Sequence, residues 1–439
     1  MEEKKENEPS YRSHVDYSVG STTDEPSLTD QIKRYKPRKF KEPESSILNK
    51  ANAPSAANER LTEKCIKVIV ENFSENPSHH TLPSKHMLAI TSLLPIDLDP
   101  GIAAIHVHDE GYWKRCCLQS LGTSKCQIIK HGLTWKQLFF EFHLQDRLEN
   151  FDAETESFDD LLEEIKKFQD YIFTLTFTQL PSHIEIDQIT AILPNLTKLS
   201  IQYSVKKIGM KYDRMLFGMK ISDASSLAKS IKNCNNLTSC VASGNLIDDD
   251  LLRMLMTGLY KSCSITHLDV SHNKITNHGV RLLSKLLGSK SVLTSLNIAD
   301  NQIHAEGGRY LGRALRTNDS LSDLNLRLNR LSDEGGRMLF EGLRDNESLT
   351  RLNISSNSLA RESMSAISVI LREPENQLAI VDLSANQLST DDVGILAETL
   401  GKNSRILSLD LRANKCDDEE LLQRIEEIVH RNELKARSG

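Results

Sequence analysis

The sequence predicts an α/β fold built from one short unit that is repeated along the C-terminal half of the chain. A pattern of alternating aliphatic residues followed by asparagine occurs seven times, as in the segments THLDVSHNKI and TSLNIADNQI. Successive copies lie 28 residues apart, with a single longer interval of 29, and each is followed by aliphatic residues at helical spacing. A fixed period of this length is typical of a solenoid. The recurring asparagines are Asn245, Asn273, Asn301, Asn329, Asn357, Asn386 and Asn414.

Each unit is predicted to contain a short strand and a helix. Leu268 and Val270 lie two residues apart, so both point to one face of a strand. After Asn273 the period changes, and Val280 and Leu283 follow the apolar stripe of a helix. The pattern LxxLxLxxNxL is typical of leucine-rich repeats. Because parallel strands stack about 4.8 Å apart and packed helices need roughly 8–10 Å, we predict a horseshoe with parallel strands inside and helices outside.

The outward side of the strands is predicted to be polar and mildly acidic. The recurring asparagine amides are expected to satisfy backbone groups where the chain turns inward, and we assign them no catalytic chemistry. The middle outward positions are either a solvated sheet face or a broad, shallow binding surface. They are Val241, Asp269, Asn297, Asn325, Asn353, Asp382 and Asp410.

Two weaker copies precede the seven clear ones, in the segments IFTLTFTQL and LTKLSIQYS, so nine strands are expected in residues 171–439. The segment DDEELLQRIEEIVHRNEL predicts a C-terminal capping helix, because its apolar stripe is backed by a charged face. Ser204 and Asn245 are separated by clearly more than one period. The excess is an insertion at residues 205–220, which either binds a partner or covers the weak second repeat. Its candidate binding residues are Lys211, Tyr212, Arg214 and Phe217.

Residues 1–60 are polar and lack periodicity, which predicts a disordered basic arm. Its one dense patch contains six basic residues and no acid. The patch is a solvated charge run, a nuclear-localisation signal, or a segment that orders on an acidic partner such as a tubulin surface or a neighbouring subunit. The candidate binding residues are Lys33, Arg34, Lys36, Arg38, Lys39 and Lys41.

Residues 61–170 are predicted to form a helical domain that caps the first repeat. Trp113 is expected in its core. The His and Cys residues of this span lack paired metal-ligand spacing, so we predict no zinc site. The eight acids between Glu149 and Glu164 are interpreted as a solvated linker.

The composition favours a cytosolic protein. The formal net charge of −7 argues against a nucleic-acid partner. Neither a membrane-length apolar run nor an apolar signal core is found, so membrane association and secretion are not expected. The sequence contains no phosphate-binding loop, HExxH or GxSxG motif, and we therefore predict no enzyme activity, no metal and no cofactor.

The repeats resemble the ribonuclease-inhibitor class of leucine-rich repeats. The segments GYWKRCC, WKQLFFEFHLQDRLENF and YDRMLFGMKISD extend the resemblance to the T-complex-associated testis-expressed protein 1 family, also called dynein regulatory complex subunit 5. This resemblance implies a non-catalytic subunit of the nexin–dynein regulatory complex in the ciliary or flagellar axoneme. Such a subunit links doublet microtubules and regulates axonemal dynein and beating, with other subunits and tubulin as partners. The alternatives are a Ran-type GTPase activator and a general cytosolic scaffold.

Overall fold

A computed structural model describes residues 61–77, 81–122, 126, 128, 134–153, 155–181, 184–204, 217–288, 290–373 and 375–438. The chain divides into two units, Met1–Lys64 and Cys65–Gly439, and almost all described residues belong to the second. The predicted basic arm therefore lies outside the described residues. The predicted domain boundaries stay predictions.

The described N-terminal region is helical. Its helices begin after capping residues that the sequence supplies. Asp99 and Asp109 accept backbone N–H bonds at two helix starts, and Thr134 forms a capping box with Gln137. Trp113 lies in the core, as predicted, and its indole nitrogen donates to the carbonyl oxygen of Val107 over 3.0 Å. The helices are α1 (Leu61–Glu71), α2 (Ser84–Leu93), α3 (Pro100–His106), α4 (Glu110–Leu121), α5 (Trp135–Glu149) and α6 (Phe158–Lys166).

The predicted linker between Glu149 and Glu164 is wrong as a solvated segment. Glu149 is only 7% exposed, and α6 buries Leu161 and Ile165. The spacing of those two residues places them on one face of a helix whose other face carries the acids. The second half of the acidic run therefore belongs to an amphipathic helix, α6.

A nine-stranded parallel sheet follows, with its strands in chain order, which confirms the predicted solenoid. A helix connects each strand to the next, as parallel pairing requires. The strands are β1 (Thr174–Leu180), β2 (Lys198–Tyr203), β3 (Ser239–Val241), β4 (His267–Asp269), β5 (Ser295–Asn297), β6 (Asp323–Asn325), β7 (Arg351–Asn353), β8 (Ile380–Asp382) and β9 (Ser408–Asp410). The helices are α7 (Ile186–Ala191), α8 (Ile221–Asn233), α9 (Asp249–Leu259), α10 (Asn277–Leu286), α11 (Ala305–Leu315), α12 (Ser332–Gly342), α13 (Arg361–Ile370), α14 (Thr390–Leu400) and α15 (Glu419–Ser438).

The core runs between the sheet and the helices. The central residue of each short strand points inward and pairs in register with its neighbours, as Leu268 does with Leu296. Helices α11 and α12 approach each other so closely that a side chain at Gly312 or Gly342 would collide with the backbone of the facing helix. Glycine permits this approach because it has no Cβ atom.

Candidate interaction surfaces

The recurring asparagines join each repeat to the one before it. In the turn after β5, the Asn301 side-chain nitrogen donates to the carbonyl oxygens of Ile298 and Ala299 in its own turn, and to that of Val270 in the preceding repeat. Its side-chain oxygen accepts from the backbone N–H of Ile275 over 3.0 Å. Asn301 is 6% exposed. One amide therefore bonds four backbone groups, and it is the acceptor for the buried N–H of Ile275.

The residue before each recurring asparagine adopts the left-handed backbone conformation. In the first copy this residue is Gly244, which adopts it without steric cost. Six later copies place a side chain there at φ between 50 and 57°. These residues are His272, Asp300, Leu328, Ser356, Ala385 and Ala413. The tight turn after each strand is thus held by the asparagine against a local conformational cost.

The acidic and amide residues at the middle outward positions of the strands are engaged within their own turns. The Asp269 carboxylate accepts from the backbone N–H and hydroxyl of Ser271, and the Asp382 carboxylate does the same with Ser384. Neighbouring strands also connect, because the Asn297 side chain donates to Asp269 over 2.8 Å. These side chains therefore stabilise the turns, and only their remaining lone pairs are available for hydrogen bonds to another protein.

Arginines supply positive charge on this outward side. Arg412 pairs with Asp410 on the last strand; this hydrogen bond holds the pKa of the Asp410 carboxyl below its usual range and raises the pKa of Arg412. Arg351 pairs with Asp323 across two strands at 3.0 Å. Arg327 is exposed just after β6. The surface can form ion pairs and hydrogen bonds with another protein.

A second set of asparagines was missed by the sequence analysis. These residues lie in the turns from helix to strand, on the opposite side of the solenoid from the first set. Asn346 donates to the carbonyl oxygens of Leu315 and Asn318 and accepts from the backbone N–H of Leu349. The turn residues of this set are Asn318, Asn346, Asn376 and Asn403. Asn432, inside α15, makes the corresponding contacts to the last turn, with the carbonyl oxygens of Asn403 and Ile406. The interval between members changes at every step, which hides the set from a search for a fixed period.

Helix α5 carries buried charges that fasten the helical region to the sheet. Glu141 accepts the backbone N–H groups of Phe173 and Thr174 at the start of the edge strand β1. Glu149, at the end of the helix, accepts that of Thr178 over 2.8 Å. Burial raises the pKa of Glu141 to about 7, against the lowering effect of its two backbone hydrogen bonds. These backbone N–H groups at the edge of the sheet are thereby occupied, so they cannot pair with a strand from another chain.

Lys136 is a buried cation on the same helix, at 4% exposure. Its ammonium donates to the carbonyl oxygens of Ala104 and Val107, at the C-terminal end of α3. It also lies over the ring of Tyr171 at 4.2 Å from the centroid. Burial lowers the pKa of Lys136 to about 8. Lys136 therefore caps the C-terminal end of α3.

Most candidate partner residues from the sequence fall outside the described part of the chain. This holds for the basic arm residues and for Lys211, Tyr212 and Arg214 of the insertion. Phe217 is described and is half-buried, next to the buried Met219. The assignment of the arm and of the insertion as partner contacts stays a prediction.

The remaining side chains with metal-binding chemistry are dispersed. Cys116 and Cys117 are buried in α4, and burial raises the pKa of the Cys117 thiol to about 12. Among the described residues, no three His, Cys, Asp or Glu side chains converge on one point that could hold a metal ion. Within the same residues, none of the helices combines the length and the apolar character needed to cross a bilayer.

Comparisons with known proteins agree with the repeat architecture. A family model described as Leucine Rich repeat matches residues 261–284, 289–312, 317–340 and 345–368. A Chlamydomonas reinhardtii protein named Dynein regulatory complex subunit 5 is 37% identical over 195 residues, which cover 44% of this chain and 50% of that protein. The Mus musculus protein of the same name is 33% identical over 243 residues, 49% of this chain and 48% of that one. The chain thus spans about half the length of these relatives.

Among solved structures, an internalin from Listeria monocytogenes aligns with 66% of this chain and 92% of its own, at 16% sequence identity and a TM-score of 0.35.

Proposed function

Because the chain belongs to the leucine-rich-repeat family of dynein regulatory complex subunit 5, also called T-complex-associated testis-expressed protein 1, we propose that it is a structural subunit of that complex. In this role it holds other subunits in place in the axoneme of cilia and flagella. It thereby contributes to linking doublet microtubules and to regulating axonemal dynein and beating. The observation that carries the proposal is the 37% identity to the Chlamydomonas protein over 195 residues.

The described structure supports a scaffold role by the way its polar residues are used. The recurring asparagines and the outward aspartates bind backbone groups of their own or adjacent repeats. Glu141 and Lys136, two buried groups with shifted pKa values, cap a strand and a helix. These side chains maintain a rigid repeat stack, and we propose that the protein is not an enzyme.

Location in a ciliated cell tests the proposal most directly. The chain is tagged at its endogenous locus, and axonemes are isolated and extracted with increasing salt. We expect the tagged chain to remain with the axoneme after detergent treatment and to be released together with other subunits of the complex. A diffuse cytosolic signal that is lost in detergent would contradict the proposal. A tagged cytosolic protein of similar size serves as the control for trapping.

The alternative Ran-type activity has its own assay. Addition of the full chain should leave the rate of GTP hydrolysis by Ran unchanged, whereas a known activator in the same assay accelerates it. Acceleration by this chain would replace the scaffold proposal.

The basic arm is proposed as a contact with an acidic partner, either tubulin or another subunit. Replacing Lys33, Arg34, Lys36, Arg38, Lys39 and Lys41 with glutamine should weaken association and flatten its dependence on salt, because fewer ion pairs form. Sedimentation with microtubules and with salt-extracted axonemes measures the two cases separately. The insertion residues Lys211, Tyr212, Arg214 and Phe217 are tested in parallel by alanine substitution.

A further inference from the structure

A groove opens on the solenoid where helices α9 and α10 end and lead into strands β4 and β5. It has a volume of about 480 Å³. Its lining includes Tyr260, Cys263, Lys285, Lys290 and Val292. The groove lies on the side of the second asparagine set, away from the outward strand positions.

The turn chemistry at this place differs from that of the later repeats. In three later repeats the asparagine of the helix-to-strand turn, which is Asn318, Asn346 or Asn403, donates to a carbonyl oxygen at the end of the preceding helix. Asn318 donates to that of Leu287 over 3.0 Å. One repeat before Asn318, the equivalent position holds Lys290, whose side chain is exposed. In this turn Ser291 supplies the hydroxyl that accepts from the backbone N–H of Leu293. The side chain that bridges the turns of later repeats is thus replaced by a lysine that points into solvent.

The groove is basic. None of its lining residues is an aspartate or glutamate. Lys285 and Lys290 are exposed, and neither joins an ion pair among residues 217–288 and 290–373. The sequence contains no acid between Asp269 and Asp300, although the chain as a whole has a net charge of −7. An isolated basic site on an acidic protein favours an acidic ligand and repels basic ones.

The groove also exposes apolar surface. Tyr260 is 47% exposed and Val292 is 42% exposed, although both lie beside the buried residues Leu259 and Leu293. Leu286 adds a half-buried aliphatic side chain. Partly exposed aromatic and aliphatic residues in a concave site are typical anchors for a side chain from a partner.

We propose that this groove docks an acidic segment of another protein, which places an aliphatic or aromatic side chain against Tyr260 and Val292 and its carboxylates against Lys285 and Lys290. The apolar part of the groove favours a peptide over a nucleic acid or another polyanion, because a polyanion offers no side chain to fill it. The docking site deepens the proposed function, since a structural subunit holds its partners through such surfaces. A failure of the ciliary assignment would show in the location of the tagged chain, whereas a failure of this proposal shows in a binding titration.

The test uses the full chain and a fluorescein-labelled synthetic peptide in which a leucine and a phenylalanine are flanked on both sides by glutamates. We expect saturable binding by fluorescence anisotropy that weakens as salt is added. The double variant Lys285→Glu, Lys290→Glu should weaken binding by about tenfold or more, because attraction is replaced by repulsion at two contacts. The matched control Lys85→Glu, Lys402→Glu makes the same charge change at exposed lysines on α2 and after α14, and it should bind like the unaltered chain.

Two further measurements separate the groove from a general charge effect. A peptide of glutamates without the apolar pair should bind much more weakly, and Val292→Ser should weaken binding of the full peptide while thermal melting stays unchanged. Bound peptide should also slow alkylation of Cys263, which is exposed in the groove, but not that of Cys65, which is exposed on α1. Equal binding of the glutamate-only peptide, equal loss in both double variants, or unprotected Cys263 would overturn the proposal.

Discussion

At the scale of single residues, the fold depends on amides that serve two repeats at once. Sequence reasoning predicted the first asparagine set, because a constant period makes it visible. It did not predict the second set, whose members are unevenly spaced and are absent at Ser262 and Lys290. It also placed Glu149 in solvent, since nothing in the acidic run distinguishes the one carboxylate that accepts backbone hydrogen bonds from the edge strand.

Replacing Asn301 with alanine should destabilise the protein by about 3 kcal/mol. The substitution removes the hydrogen bonds of the amide, each worth roughly 1 kcal/mol, and leaves the buried N–H of Ile275 without its acceptor. Urea denaturation followed by circular dichroism measures the effect. Asn235, which is exposed before β3, provides the control, and Asn235→Ala should leave the midpoint unchanged. Equal midpoints for the two variants would contradict the proposed role of the amide.

Ala385 tests the left-handed turn position, because its exposed side chain contributes little packing. Ala385→Gly should raise stability by up to about 1 kcal/mol, since glycine adopts φ of 54° without a steric cost. Ala385→Val should lower it, because a branched side chain is poorly accommodated there. Differential scanning calorimetry of the pair gives the two signs. A destabilising glycine would show that the position is not strained.

At the scale of elements, α5 is the helix whose buried charged residues the sequence did not predict. Its apolar residues predicted a helix and a core, and both are present. What the sequence did not reveal is that three charged residues of this helix are buried by the neighbouring α3 and β1. Burial of a charge depends on which element lies opposite, and that information is not local to the helix.

Glu141 should make stability depend on pH. Its folded-state pKa of about 7 lies above the ordinary value of about 4.3. The folded state therefore binds more protons than the unfolded state between these values, so stability falls as pH rises through this window, by roughly 3 kcal/mol in total. Glu141→Gln should flatten the profile measured by urea denaturation between pH 5 and 7.

The matched variant is Glu163→Gln, whose side chain is 70% exposed. It should leave the slope intact. The chosen window avoids Lys136, whose lowered pKa of about 8 adds stability as pH rises above that value. If stability depends on pH equally in Glu141→Gln and in the unaltered protein, then Glu141 is ionised in the folded protein throughout this window and its pKa is not raised.

At the scale of the whole molecule, the repeats form one continuous core closed by α15. This helix buries Ile425 and Ile428, and its fully buried Asn432 donates to the carbonyl oxygens of Asn403 and Ile406. The last seven strands and their order followed from the period, because each unit contacts chiefly its neighbours. The first two strands followed from the aliphatic pattern of the two weaker copies. The groove beside Tyr260 could not be predicted from the period, because it lies where the irregularly spaced second asparagine set has Lys290 in place of an asparagine.

Asn432→Ala should loosen the last repeat without unfolding the first. In a solenoid, stability is close to a sum over units and their interfaces, so the loss stays near the damaged end. Hydrogen exchange should become faster by roughly tenfold at the backbone of β9 and stay unchanged at β4. Uniformly faster exchange would show that the chain unfolds as a single cooperative block.

The asparagine that joins adjacent repeats also restricts how such a chain changes length over evolution. Leu343 and Leu371 at the helix ends are separated by the ordinary period, whereas the paired strand residues Leu352 and Val381 are separated by one position more. The extra residue therefore lies in the turn between helix and strand, where it disturbs no amide of the first set. Growth or loss within the ladder therefore requires duplication or deletion of a complete unit. The insertion at residues 205–220 follows β2, where the turn carries Ser204 and no asparagine of the first set.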